Sequence, residues 1–292
     1  MNDKVRCLRW WHGAVFFAAV LTIQLLLFAA AVLAGSMGLL GRTAVEVSAS
    51  LFSPFAIAAQ VLFTCSVLTG FALTVPRAFG TTARDLLALA PPRSSALVLA
   101  AAGVVPVGIV VDEVTFLLHA AAPGLFDTRA LDTFSDVFAL SGAASFALVT
   151  VVVTVGPALG EELFFRGFLL RAFRRDMPAT AAIVLSAGLF GVLHLNALQG
   201  VGAACIGAYL GFAALATGSL WPAVGAHALN NLLTSVVARL DPSGVGSAAE
   251  EGHSVLLLVA SLAATAMVVL SLARMGRDRE GEAGRRPYLP SS

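Results

Sequence analysis

Apolar residues come along this chain in long, nearly unbroken runs, without the two-residue alternation of a half-buried strand or the one-sided stripe of a surface helix. The hydrocarbon core of a bilayer takes about 20 apolar residues per crossing helix. Runs of that length, bounded by charges or by glycine and proline turns, fall at 11–34, 51–75, 95–118, 141–170, 179–197, 200–220, 221–238 and 254–273. The pattern predicts an all-α, polytopic membrane bundle of about eight transmembrane helices. Glycines and prolines inside the runs are compatible with this, because neighbouring helices re-satisfy the backbone. No internal repeat is apparent.

Composition strengthens the reading. The 292 residues are 58% hydrophobic and 12% charged, whereas soluble domains carry about 25% charged residues. The protein therefore belongs in a lipid bilayer. A net charge of +1 supplies no basic field and argues against a nucleic-acid partner. Cys7, Cys65 and Cys205 are too dispersed for a disulfide framework or a thiolate metal site. One lysine against seventeen arginines, with much Ala, Gly and Val, hints at a GC-rich bacterial genome and so at a bacterial cytoplasmic membrane.

The basic residues are placed unevenly. If the N-terminus is cytoplasmic, fourteen of the eighteen fall on the cytoplasmic side, three (Arg42, Arg129, Arg239) fall outside, and Arg166 lies within a span. Basic loops stay in the cytoplasm, so eight spans with both termini inside are expected. Val32-Leu33-Ala34 resembles a signal-peptide cleavage site, but the preceding apolar stretch exceeds the usual core of 7–15 residues, which favours an uncleaved anchor. The expected organisation is three spans and an extracytoplasmic segment over 1–140, a central unit over 141–238, an eighth helix over 239–273 and a disordered cytoplasmic tail over 274–292.

Ionisable groups are costly in a membrane and are candidates for function. The fourth run contains Gly160-Glu161-Glu162-Leu163-Phe164-Phe165-Arg166. On a helix, Glu162 and Arg166 are i, i+4 neighbours and can pair, which leaves Glu161, about 100° away, free. Pro157 cannot donate to the carbonyl of Val153 and should kink the helix above the carboxylates. The fifth run ends with Phe190-Gly191-Val192-Leu193-His194. Glu161 and His194 are each ~21–24 Å from the turn between their helices, so a hairpin brings them to one level. In the seventh run His227 and Asn231 share a face, and Asn230 points elsewhere. Gly156/Gly160 and Gly207/Gly211 would let the helices pack closely.

A carboxylate, two histidines and an amide converging in a dry cavity form a water-activating set. Glu161 can act as general base, one histidine can share the attacking water or carry a proton to the leaving amine, and the other histidine with the asparagine amide can stabilise an oxyanion. Alternatively Glu161, His194 and His227 are three ligands of a catalytic Zn2+ that keeps water in the fourth place. Both accounts stay open. Asp112 and Glu113 lie near the outer end of the third span and are expected to be solvated caps. A His-Glu-x-x-His motif, a Gly-x-Ser-x-Gly motif and a phosphate loop are all lacking.

Glu161-Glu162-x-x-x-Arg166, Phe190-x-x-x-His194 and His227-x-x-x-Asn231, in that order on three membrane helices, resemble the CPBP intramembrane proteases, which include the CAAX prenyl endopeptidases and bacterial Abi-type proteins. The similarity covers about 141–238. It implies hydrolysis of a peptide bond in a membrane-associated protein or peptide near the cytoplasmic face. Glu161, His194, His227 and Asn231 would then be catalytic, with Glu162, Arg166 and Phe190 in support. The family has been described both as metalloproteases and as glutamate-dependent enzymes, so the resemblance leaves the cofactor open, and it suggests bacteriocin processing or self-immunity as a setting. The rival readings are a proton-coupled transporter, which the missing repeat disfavours, and a non-catalytic immunity protein.

Overall fold

The computed structural model describes residues 9–37, 53–241 and 252–285. It is all helical, with no strand among the described residues. The helices are α1 Trp10–Ser36, α2 Pro54–Ala78, the short α3 Ala83–Leu86, α4 Ser94–Ala102, α5 Val104–Ala121, α6 Arg129–Leu140, α7 Ala143–Glu162, a π-helical segment Leu163–Leu169, α8 Leu170–Asp176, α9 Ala179–Val192, α10 Ala197–Thr217, α11 Trp221–Leu240 and α12 Val255–Arg285. Among the described residues, five stretches are long and apolar enough to cross a membrane: α2, α4 with α5, α7 through α8, α10, and α12 to Asp278. Trp10–Leu26 and Ala179–Val192 are shorter apolar helices. The chain is a helical membrane protein.

Helix ends are fixed by local chemistry. The Ser53 side chain accepts from the Ala56 amide and Pro54 opens α2, where its missing N–H costs nothing. Asn196 caps α10 by accepting from the Gln199 amide, and α10 stops at Gly218, whose φ of 62° suits glycine. Leu195, at φ 55°, makes the same left-handed turn without being glycine, so the link from α9 to α10 is held by its surroundings.

Cross-contacts define two ends of the bundle. At one, the Arg9 guanidinium bonds Asp176 at 2.9 Å and Ser219 Oγ donates to the Ala90 carbonyl at 2.7 Å. At the other, Arg239 Nη1 donates to the carbonyls of Phe138, Ala139 and Ser141, and the His253 amide donates to Glu113 at 2.8 Å. Arg77, Arg84, Arg93, Arg174 and Arg175 lie on the elements of the first end. Between the ends, Phe164, Phe165, Phe168, Leu169 and Leu170 are completely buried in one apolar cluster.

Three features depart from the sequence expectation. The expected extracytoplasmic segment contains a helix that was not anticipated, the amphipathic α6, whose Phe138 is buried. Helix α12 runs on to Arg285, through the first part of the expected disordered tail, because Arg274–Glu282 holds no proline and alternates charges that a helix tolerates. The fourth run is three pieces, with a π segment immediately after the two glutamates. Arg42 and the rest of the 38–52 connection lie outside the described residues.

Candidate active site

The π segment widens the backbone by one residue per turn, and the Leu170 amide reaches back to the Phe165 carbonyl. The Ser186 hydroxyl of α9 donates to that same carbonyl at 3.1 Å. Arg166, at the centre of this segment, is buried. Its Nη1 bonds Glu162 Oε1 at 2.5 Å, its Nη2 donates to the Gly207 carbonyl at 3.1 Å, and its guanidinium lies 4.4 Å from the Phe190 ring centroid. A Cβ on Gly207 would come within 2.8 Å of that guanidinium, so glycine is required there. The expected Glu162–Arg166 pair is present, with both side chains fully buried.

Glu162 has a further partner. His227 Nδ1 lies 2.9 Å from Glu162 Oε1. Because a carboxylate can only accept, Nδ1 carries the proton, and Nε2 is thereby turned toward Glu161 Oε2, 3.9 Å away. That gap is too long for a direct hydrogen bond. His227 therefore donates from Nε2 only when both its nitrogens are protonated. The adjacency of Glu161 and Glu162 was the only trace of this link in the sequence, since the two partners are 65 residues apart.

His194 sits in the turn after α9, beyond the helical run in which the sequence placed it. Its Nδ1 is 3.0 Å from the Phe190 carbonyl. The Phe190 ring packs edge-on against both His194 and His227, with centroids 5.1 and 5.8 Å apart. Phe190 is thus the shared wall of the two imidazoles and the arginine.

Two cavities meet at these groups. The larger, of about 420 Å³, is lined by Glu161, His194, His227, Asn230, Asn231 and Asp112, with an apolar wall that includes Ile57, Phe134 and Leu198. The smaller, of about 170 Å³, is lined by Gln24, Gln60, Thr64, Cys65, Glu161 and His194. Glu161 and His194 border both. The structure so gathers the four residues proposed from the sequence around one space, and Glu161 stays clear of the buried ion pair.

Other expectations change. Asn231 Nδ2 donates to the Val153 carbonyl at 2.9 Å, the very carbonyl that Pro157 cannot serve. One of its two N–H groups is thus committed to joining α11 to α7. Asn230 does not point elsewhere: it lines the larger cavity, and its Nδ2 approaches Asn231 Oδ1 at 3.3 Å. Asp112 borders the cavity in place of capping the helix in solvent, while Glu113 is taken by His253.

Among the described residues, no three His, Cys, Asp or Glu side chains are grouped to hold a metal ion. Glu161, His194 and His227 border one space but are not drawn together into a three-ligand set. The residues as placed do not fit the Zn2+ alternative, and no step is routed through a metal here.

Residues 143–233 match the family described as Type II CAAX prenyl endopeptidase Rce1-like. These residues run from the start of α7 into α11 and hold Glu161, Glu162, Arg166, His194, His227, Asn230 and Asn231. A curated relative, the uncharacterized protein YyaK of Bacillus subtilis (strain 168), is 35% identical over 134 residues, which is 42% of this chain and 41% of that protein. The chain thus covers about two fifths of that relative's length. No solved structure matches. The molecule is a helical membrane protein with a CAAX-protease-like segment.

Proposed function

We propose that the protein is an intramembrane endopeptidase that hydrolyses a peptide bond of a membrane-associated protein or peptide, with 141–238 as its catalytic unit. The observation that carries this reading is the placement of Glu161 and His194 at the border of two cavities, with His227 Nε2 aimed at Glu161 by the buried Glu162. A water between Glu161 and His194 attacks the carbonyl carbon, and Glu161 takes its proton as the C–O bond forms. The carbonyl oxygen gains the negative charge and accepts from Nε2–H of doubly protonated His227 and from the uncommitted N–H of Asn231. Collapse of the tetrahedral intermediate breaks the C–N bond, and the proton held on Glu161 passes to the leaving amine. Atoms and charge balance without a metal. Arg166 and Glu162 position His227 and touch no reacting atom.

The test compares polypeptide termini in membranes from cells that make the wild type or the Glu161→Gln variant. New termini present only with the wild type are expected. Identical sets of termini, with equal amounts of both proteins in the membrane, would overturn the proposal.

A further inference from the structure

Hydrolysis consumes one water per turnover, and a polypeptide held in the larger cavity competes with that water for space. At about 420 Å³, with an apolar wall that includes Ile57, Phe134 and Leu198, this cavity has the size and lining of a ligand pocket. A segment lying in it expels the water there. The nucleophile must then reach Glu161 and His194 through space that the substrate leaves open. Both residues border such a space, the smaller cavity of about 170 Å³.

The smaller cavity is built differently from the larger. Gln60, Thr64 and Cys65 share one face of α2, and the approach of the Cys65 backbone to Gly160 sets that face beside the turn that carries Glu161. From α1 comes Gln24, a polar side chain within an apolar run. Its Nε2 donates to Thr64 Oγ1 at 3.4 Å. The other end of the same amide, Oε1, is buried with no donor in reach among the described residues. Two side chains placed only to tie α1 to α2 would leave no such orphan, because a buried acceptor without a donor is costly. Water removes the cost. The cavity is polar on this side and large enough, since a water takes about 30 Å³ in the liquid.

We infer that the smaller cavity is a water-holding site, lined by Gln24 and Thr64 as positioning residues, which supplies the nucleophile to Glu161 and His194 while the substrate occupies the larger cavity. The use of the water rests on the hydrolase reading, but its presence does not. Gln24 and Thr64 lie outside the matched residues 143–233, so the supply is a property of how α1 and α2 pack on the catalytic unit. Water passes along it with no covalent change.

The experiment has an arm that needs no turnover. Short X-ray pulses on full-length protein in detergent make hydroxyl radicals from the waters present, and mass spectrometry reads oxidation at each cysteine. Cys65 lines the smaller cavity and is buried, whereas Cys205 is partly exposed and packs against an apolar cluster. A wet cavity oxidises Cys65 the faster of the two, despite its burial. In the Gln24→Leu, Thr64→Val double variant the Cys65 rate should fall below that of Cys205, with the Cys205 rate unchanged as the sign of an intact fold. Thr64→Ser should keep the wild-type rate. Slower oxidation of Cys65 than of Cys205 in the wild type, or no response to the double variant, would overturn the inference. If the double variant fails to insert, Thr64→Val alone is read in the same way.

The second arm uses the membrane termini. On the peptide whose cleavage they define, the double variant should lower kcat about tenfold, the equivalent of one lost hydrogen bond, and leave KM unchanged. Thr64→Ser should restore the rate. Undiminished kcat in a double variant whose Cys65 has become dry would overturn the supply role and leave the hydrolase reading standing. Fast oxidation of Cys65 in a wild type that makes no termini would overturn the hydrolase reading, and the supply role with it, in a cavity shown to hold water.

Discussion

Glu161 and Glu162 are neighbours on one turn, yet the helix sends them about 100° apart, one to a cavity border and the other into a pair with Arg166 and His227. Their substitutions should separate accordingly. Glu161→Gln should abolish turnover with little change in thermal stability. Arg166→Ala should destabilise by about 3–5 kcal/mol, since it strands a buried carboxylate. Denaturation of purified protein in detergent, set beside turnover, reads both, and equal loss of stability in the two variants would refute the division. Asn231 gives a sharper case. Removing its amide orphans the Val153 carbonyl, at a cost of about 1–3 kcal/mol, but Pro157→Ala restores a backbone N–H at the position that normally serves that carbonyl. Asn231→Ala should therefore cost clearly less stability in a Pro157→Ala background than alone. Additive effects in the double-mutant cycle would show that the Asn231 bond to Val153 contributes nothing.

At the scale of helices, the site depends on how closely α2 approaches α7. A Cβ on Gly160 would lie 2.7 Å from the Cys65 carbonyl oxygen and 2.8 Å from its Cα, which are backbone atoms that cannot swing aside. At Gly211 the added carbon would meet side-chain atoms no closer than 3.6 Å. Gly160→Ala should thus force α2 and α7 apart and cost about 1–3 kcal/mol, whereas Gly211→Ala should be tolerated. Thermal unfolding of the two variants in the same detergent checks the contrast, and equal tolerance would mean that α2 is free to shift. The small-residue spacing was visible in the sequence, and so was the pairing of Glu162 with Arg166. The π segment was not: in a run of Leu and Phe, i, i+4 and i, i+5 bonding leave the same apolar pattern, and only the fold reveals which the Leu170 amide chose.

Across the whole molecule, the sequence revealed what depends on hydrophobic length and local spacing. The described parts of the eight apolar runs are helical over most of their length, and Glu161, His194, His227 and Asn231 border one cavity. What it hid depends on contacts between distant segments. The Glu162 to His227 bond is one such contact, and the place of α6 is another. Helix α6 falls within the expected extracytoplasmic segment and was not anticipated as a helix, yet Leu131 and Phe134 on it form part of the cavity wall. Its hold on the bundle can be predicted. The last carbonyls of a helix have no partner within it, and Arg239, from the end of the helix that carries His227, supplies Nη1 to those of Phe138 and Ala139 and to Ser141 just beyond. Its guanidinium also lies 5.3 Å from the Phe146 ring centroid. Replacing it with methionine keeps much of the apolar stem and removes every donor. Arg239→Met should accordingly speed hydrogen–deuterium exchange of amides over 129–141 while leaving those of 163–176 protected, because the packed phenylalanines around the π segment do not depend on it. Loosening of α6 should also raise the rate at which a cysteine placed at Thr234, in the cavity lining, reacts with a water-soluble thiol reagent. Unchanged exchange over 129–141 would show that Phe138 and its apolar neighbours hold α6 without the arginine, and the link between the site helix and the cavity wall would then have to be abandoned.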